Sequence, residues 1–473
     1  MTDLSIGRAA SRTTERARGG GVPIGGTAEL VELAQRVVDQ ARPGEELEVY
    51  VSRGIETDVR AYEGDVESLS SAASAGVGIR VLAGGRQGFA YAGSLDAAVV
   101  AETLADARDN VGFATPDPHV GLAIPDGVAA ATVDVWDDGV IDTPTAVKVE
   151  LALELERRVR AADPRVRQVA SADYGDVAAE AAIATSAGIV ASSRRTVCSL
   201  SAEAIAGTGL ESQTGVGFSA GRSPGDLDIS RASADAVERA VRLLGATRAR
   251  TGKCAVVFDP RVSSTLLAIV SSALSGEAVT KGRSFFAGRL GEEVAGPSVT
   301  IVDDPTDARA FGASSYDAEG LACRRNVLID GGMLRSFVFD TTSARRAGTT
   351  STASAVRGGY ATTPVAGCRA LLLAPGALDA AAILADVDEA LFVQSITGVH
   401  SGVNTVSGDF SVGAEGLMVR RGELAEPVRE VTIASTLQRM LQSVLHAGAD
   451  VEWLPGVAAG QTLAIDGMAL SGA

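Results

Sequence analysis

Gly76-Val77-Gly78-Ile79-Arg80-Val81-Leu82-Ala83-Gly84-Gly85-Arg86-Gln87-Gly88-Phe89-Ala90-Tyr91 reads as two strands joined at Ala83-Gly84-Gly85-Arg86. Glycine at the turn supplies the positive φ that two-residue hairpin loops need. A hairpin pairs its strands antiparallel, which sets the tone for the chain around it. Upstream, Leu47, Val49 and Val51 alternate with Glu48, Tyr50 and Ser52, the period of a half-buried strand. Before that strand, Leu30, Leu33, Ala34, Val37 and Val38 form a helical stripe that Thr27 is placed to cap and Pro43-Gly44 to stop. Downstream, Ser94 is placed to cap a helix through Val99 and Leu104. A third helix is expected over 145–162, with an i,i+4 pair Glu154–Arg158 and a solvated charged face.

From Arg165 to Gly221 short Val/Ala/Ile/Ser/Thr strands broken by glycine predict an antiparallel sheet, and a helix follows over 233–244. The basic segment Arg248 to Lys253 lacks apolar periodicity and divides the chain. Three units result: a tail over 1–26, an N-terminal α+β domain over 27–247 and a β-rich C-terminal domain over 253–473. The second domain opens with a strand, 254–258, and a helix, 260–275; further helices are expected near 378–390 and 432–446. Helices and strands do not alternate strictly, so the fold class is α+β, with mostly antiparallel sheets.

Composition narrows the function. A net charge of −17 opposes a polyanionic partner, which disfavours nucleic acid. Hydrophobic residues at 46% provide a core, but no uncharged apolar run is long enough to span a membrane. The N-terminus has arginines and no apolar h-region, so no secretory signal is read there. Cys198, Cys254, Cys323 and Cys368 form no C-x-x-C pair and fit buried thiols in a reducing cytosol.

Residues that can carry chemistry are few. Ser219 and Ser223 each sit in a G-x-S-x-G match, but Pro224-Gly225 opposes the helix that a nucleophile elbow requires. His119 and His446 read as loop and helix-end residues. His400 stands in a polar turn, Gly398 to Asn404, beside Gly408-Asp409-Phe410-Ser411, and such a turn either binds a ligand or satisfies its own backbone. Asp303, Asp304, Asp307, Asp317 and Glu319 cluster along the chain, where strand-end and turn roles compete with a hard-cation site. No nucleotide-binding glycine loop occurs.

Several short motifs, taken in order, resemble the TldD/TldE (PmbA) metalloprotease family: Gly76-Val77-Gly78-Ile79-Arg80-Val81 with Gly88-Phe89-Ala90; Asp317-Ala318-Glu319-Gly320; Thr342-Ser343-Ala344-Arg345; and Gly402-Val403-Asn404 with Ser407 to Ala414. The resemblance runs from about residue 27 to the C-terminus. In the TldD branch it implies zinc held by His-Glu-x-x-x-His on the first helix of the C-terminal domain and by a late cysteine. Here the corresponding positions are Leu267, Ala268 and Ser272, and no cysteine follows Cys368. Leucine and alanine offer no lone pair, and the missing glutamate removes the general base.

This is the pattern of the TldE branch. The resemblance therefore implies a chain with no catalytic or metal-ligating residues and no cofactor of its own, paired with a zinc-bearing TldD-like subunit around a proteolytic chamber. Unfolded or extended peptides are the implied substrates. His400, Gly402, Asn404, Gly408, Asp409 and Phe410 are the candidate peptide or partner contacts. Two other readings stay open: a homodimer that holds peptides without cutting them, and a hydrolase using Ser219 or Ser223.

Overall fold

The computed structural model describes residues 24–472. Its N-terminal half is one antiparallel six-stranded sheet in the order β3-β2-β1-β4-β5-β6. The strands are β1 (Glu46–Tyr62), β2 (Asp65–Ala83), β3 (Arg86–Ala92), β4 (Val166–Thr185), β5 (Val190–Ala206) and β6 (Gln213–Gly221). The hairpin at Gly84-Gly85 forms as read, with φ of 57° and 70°. Where short strands were expected after Arg165, β4 runs for 20 residues and β5 for 17. Gly175 and the alanines from Ala172 to Ala184 pair in register, and the ladder shifts only near its start, at Arg167 and Ala170. Helices α1 (Ala28–Val38), α2 (Ala97–Phe113), α3 (Thr145–Ala162) and α4 (Ile229–Val241) pack against this sheet.

Several local expectations change. Thr27 precedes α1, but its hydroxyl donates to Ser192 Oγ at 2.9 Å and caps nothing. Asp96 occupies the cap position of α2, and Ser94 Oγ accepts from the Asp96 N–H. In α3 the Glu154–Arg158 pair forms at 2.6 Å, yet the charged face is not all solvated. Lys148 and Glu156 are buried: Lys148 Nζ reaches Asp176 Oδ2 at 2.5 Å, and Glu156 accepts from the Gly64 N–H at 2.9 Å. Of the segment expected as a tail, residues 1–23 lie outside the described residues. Ile24 packs on the core, and Gly26 is held by Glu180 and Arg53.

The C-terminal half centres on a second six-stranded sheet: β7 (Gly252–Phe258), β8 (Glu389–Thr397), β9 (Asp409–Arg420), β10 (Glu423–Thr436), β11 (Val444–Ala447) and β12 (Leu463–Ser471). The order is β10-β9-β8-β7-β12-β11, and an extra pairing of β10 with β12 closes most of it into a ring. All ladders are antiparallel except β7 with β8. Helix α5 (Pro260–Ala273) lays Val262, Leu266, Leu267 and Val270 on the core. It ends two residues before Ser275, and a short helix, Gly276–Thr280, follows. The helix expected over 432–446 is mostly strand, with a single turn of helix at Leu437–Gln442. The helix near 378–390 is Ala380–Asp386, because Ala390 to Val393 are buried in β8.

Candidate functional site

Three of the resemblance motifs, those around Arg80, Asp317–Glu319 and Thr342–Arg345, converge at the junction of the two halves. The β1/β2 register puts Glu48 directly across from Arg80, and Arg80 Nη2 meets Glu48 Oε2 at 2.5 Å. Arg357, from the C-terminal half, donates to Glu48 Oε1 at 2.6 Å and to the Ala318 carbonyl at 2.9 Å, with its guanidinium stacked on Tyr50. Glu319 lies 3.9 Å from Arg80 and accepts from the Thr341 N–H and hydroxyl at 2.9 and 2.8 Å. Asp317 takes three backbone N–H groups, from Glu319, Leu321 and Ala355. Asp340 caps helix α6 (Thr341–Ala347) through the Ser343 N–H.

Burial sets the electrostatics. It works to raise the Glu48 carboxyl, but Arg80 and Arg357 together bring it below its ordinary value. Glu319 goes the other way: burial and then the neighbouring Asp317 push its carboxyl up against the pull of Arg80. Among the described residues, Glu319 Oε1 and Arg80 Nε find no hydrogen-bond partner. A polar cavity of about 150 Å³ adjoins this cluster, lined by Arg80, Gln87, Lys281, Asp340, Ser343 and Arg346 among others. From α6, Arg345 donates to the carbonyls of Val120 and Leu122, and Arg346 meets Asp117 at 2.7 Å, which fastens the 117–122 loop of the first half to the second. The Arg345 guanidinium packs closely over Gly121, where a Cβ would displace it.

Sequence reading missed this cluster as a site. Its signal was a charged residue, Arg80, inside an apolar strand, and a glutamate, Glu48, at the partnering position. The five acidic residues do not form a cation site. Asp303 accepts from the Arg369 and Ala370 N–H groups, Asp304 from Thr306, and Asp307 pairs with Arg309. Burial raises Asp303 to about 6, and the two backbone donors oppose the shift. Among the described residues no group of three His, Cys, Asp or Glu is placed to hold a metal.

The turn from Gly398 to Phe410 is assembled from its own atoms. The Asn404 side chain accepts from the N–H groups of Val406 and Ser407, its backbone exchanges with Gly408 and Asp409, and Ser407 Oγ donates to Asp409 Oδ2 at 2.6 Å. Gly408, with φ of 86°, leaves room for the Gln438 amide, and Gly402 leaves room for the Ser411 carbonyl. Phe410 is buried in the core, whereas His400, Asn404 and Asp409 are exposed. The turn thus brings His400, Asn404 and Asp409 to the surface, leaves Gly402 half-buried, and buries Gly408 and Phe410.

At α5, Leu267 faces an apolar cavity of about 30 Å³ shared with Leu266, Val270, Met440 and Leu463. Ala268 has no side-chain polar atom, and the Ser272 hydroxyl donates to the Ile269 carbonyl at 2.7 Å. These residues do not fit a zinc ion, which needs imidazole, thiolate or carboxylate donors. Burial pushes the Cys198 and Cys323 thiols up to about 12. Ser219 lies within strand β6, where its Oγ accepts from the Asp228 N–H, and Ser223 caps a turn with Asp226. Neither stands on a strand–turn–helix elbow. His446 is on strand β11 rather than a helix, 2.7 Å from Asp386.

Family models place this architecture. The PmbA/TldA metallopeptidase C-terminal domain matches residues 251–472, the central domain 139–244 and domain 1 residues 47–111. The chain belongs to the PmbA/TldD metallopeptidase family. Within it, the chain is 27% identical over 438 residues to the metalloprotease PmbA of Escherichia coli O157:H7, covering 92% of this chain and 94% of the relative. It is 25% identical over 448 residues to the PmbA homolog of Haemophilus influenzae, covering 94% and 96%. The crystal structure of TldE from Thermococcus kodakarensis superposes with a TM-score of 0.85 at 22% identity, covering 94% of this chain and 99% of that one. No helix among the described residues is long and apolar enough to cross a membrane.

Proposed function

We propose that this chain is the non-catalytic, TldE-like subunit of a two-chain zinc metallopeptidase, working in the cytoplasm with a TldD-like partner on unfolded or extended peptides. One observation carries the reading: on the helix that opens a metallopeptidase C-terminal domain, the positions that resemblance assigns to ligands and base hold Leu267, Ala268 and Ser272. Hydrocarbon and a hydroxyl already bonded to its own helix neither bind zinc nor move a proton.

The partner supplies the zinc, and this subunit supplies surface and scaffold. His400, Gly402, Asn404, Gly408 and Asp409 form the loop that meets peptide or partner. The test is metal analysis and cleavage of an unfolded peptide by the purified chain, by a TldD-like chain, and by the two mixed. Zinc and chelator-sensitive turnover are expected only where the second chain is present. Stoichiometric zinc and turnover in this chain alone would overturn the reading; peptide binding by a homodimer that never associates with the second chain would replace it.

A further inference from the structure

Strand β2 outlives its neighbour. Its outer edge is paired with β3 only over Val77–Ala83, although β2 begins at Asp65. Its inner edge is paired with β1 from Asp65 to Leu82, with one register shift at Glu67. Among the described residues nothing pairs with the outer edge from Ser68 to Ala75, and every residue from Glu67 to Ser74 is exposed on both faces of the sheet. The stretch reads Ser68-Leu69-Ser70-Ser71-Ala72-Ala73-Ser74-Ala75, with no charge, no proline and no register shift. Free edges are usually blunted by those devices, because unpaired N–H and C=O groups recruit other strands.

The C-terminal sheet follows that rule. On β10 the outer stretch carries Glu423, Glu426, Pro427, Arg429 and Glu430, shows two register shifts against β9, and is bridged by Thr247. Among the described residues, the β2 stretch from Ser68 to Ala75 carries none of these guards. Its composition also selects the occupant. A stable subunit contact needs apolar anchors, and this edge has a single large one, Leu69, 47% exposed. Serine and alanine offer no side-chain pockets, so what they can read is main chain. A two-sided polar strand also specifies register weakly, which suits ligands of differing sequence.

We infer that the β2 edge from Ser68 to Ala75 docks an extended polypeptide by strand addition. The inference names the peptide-holding surface of the subunit proposed above and rests on that reading only for the identity of the natural ligand. Hydrogen exchange on the full chain tests it, using as probe a 12-residue unfolded peptide of Ala, Ser, Thr and Val with blocked ends. Amides within Ser68–Ala75 should slow on adding the probe. The double variant Ala72→Lys, Ser74→Lys, with an unchanged melting temperature, should weaken probe binding roughly tenfold. Binding with protection confined to other segments would overturn the inference, as would no binding. Protection of this edge by a TldD-like chain but not by the probe would also overturn it and make β2 a subunit contact. Because the isolated chain is read, protection by the probe without turnover in the mixed complex would sink the two-chain peptidase reading and leave the docking edge standing.

Discussion

The junction around Arg80 and the apolar face of α5 are both deeply buried, and they hold opposite chemistry. At the junction, Glu48 is held between Arg80 and Arg357 from the two halves of the chain, and Glu319 lies 3.9 Å from Arg80 while accepting from Thr341. At α5, Leu266, Leu267 and Val270 bury hydrocarbon around a small apolar cavity. The junction joins the two halves through buried charge, and α5 packs hydrocarbon; each region can be broken without the other.

The largest effect is expected at the junction. Arg80→Met leaves Glu319 without its buried cation and Glu48 with only Arg357, and breaking a buried pair from one side costs about 3–5 kcal/mol. Urea unfolding checks it: a midpoint within error of wild type would show that the ion cluster does not hold the halves together. At α5, Leu267→Ala enlarges an existing cavity and should cost about 3 kcal/mol with no change in metal content or in the mixed complex's turnover per folded molecule. Altered turnover there would contradict the separation of packing from chemistry.

The junction should also declare itself through pH. The folded-state pKa of Glu319 is raised above its ordinary 4.5, so the folded chain binds the extra proton and this group's contribution is full at low pH. It is lost as pH rises from about 4.5 through the raised folded value. Asp303, raised to about 6, acts with the same sign in a narrower window. Glu319→Gln removes the first slope, so its stability relative to wild type should improve on going from pH 5 to pH 8 by about 1–2 kcal/mol. Chemical denaturation at the two pH values measures it, and a difference independent of pH would show that Glu319 is ionised throughout.

Much of this architecture was legible because period and turn chemistry are local. The Gly84-Gly85 hairpin, helix α3 and strand β7 follow directly from their residues. What was not legible depended on distant partners. The alanine- and serine-rich β4 and β5 look broken in sequence and become long ladders only because β1 and β6 flank them. Residues 432–436 have helix-compatible apolar spacing, but pairing with β9 and β12 wins. The junction was hidden for the same reason: Glu48, Arg80, Glu319 and Arg357 are hundreds of residues apart at the extremes, and only the fold makes their charges neighbours. The polar turn at 398–410 was the reverse case, visible as composition, with only its geometry showing that most of its polar atoms serve the turn itself.

That turn carries the smallest expected effect and the sharpest contrast between scaffold and surface. Asn404→Ala removes the acceptor for the Val406 and Ser407 N–H groups, both exposed enough for water to replace it, so the cost should be about 1 kcal/mol. His400 is exposed and outside this network, so His400→Ala should leave the melting temperature unchanged. If the loop contacts peptide or partner, His400→Ala must still weaken assembly of the mixed complex or raise its KM, since nothing else about the fold depends on it. If assembly and KM both stay at wild-type values while Asn404→Ala costs its 1 kcal/mol, the loop is scaffold alone, and the recognition surface must be sought on the unguarded edge of β2.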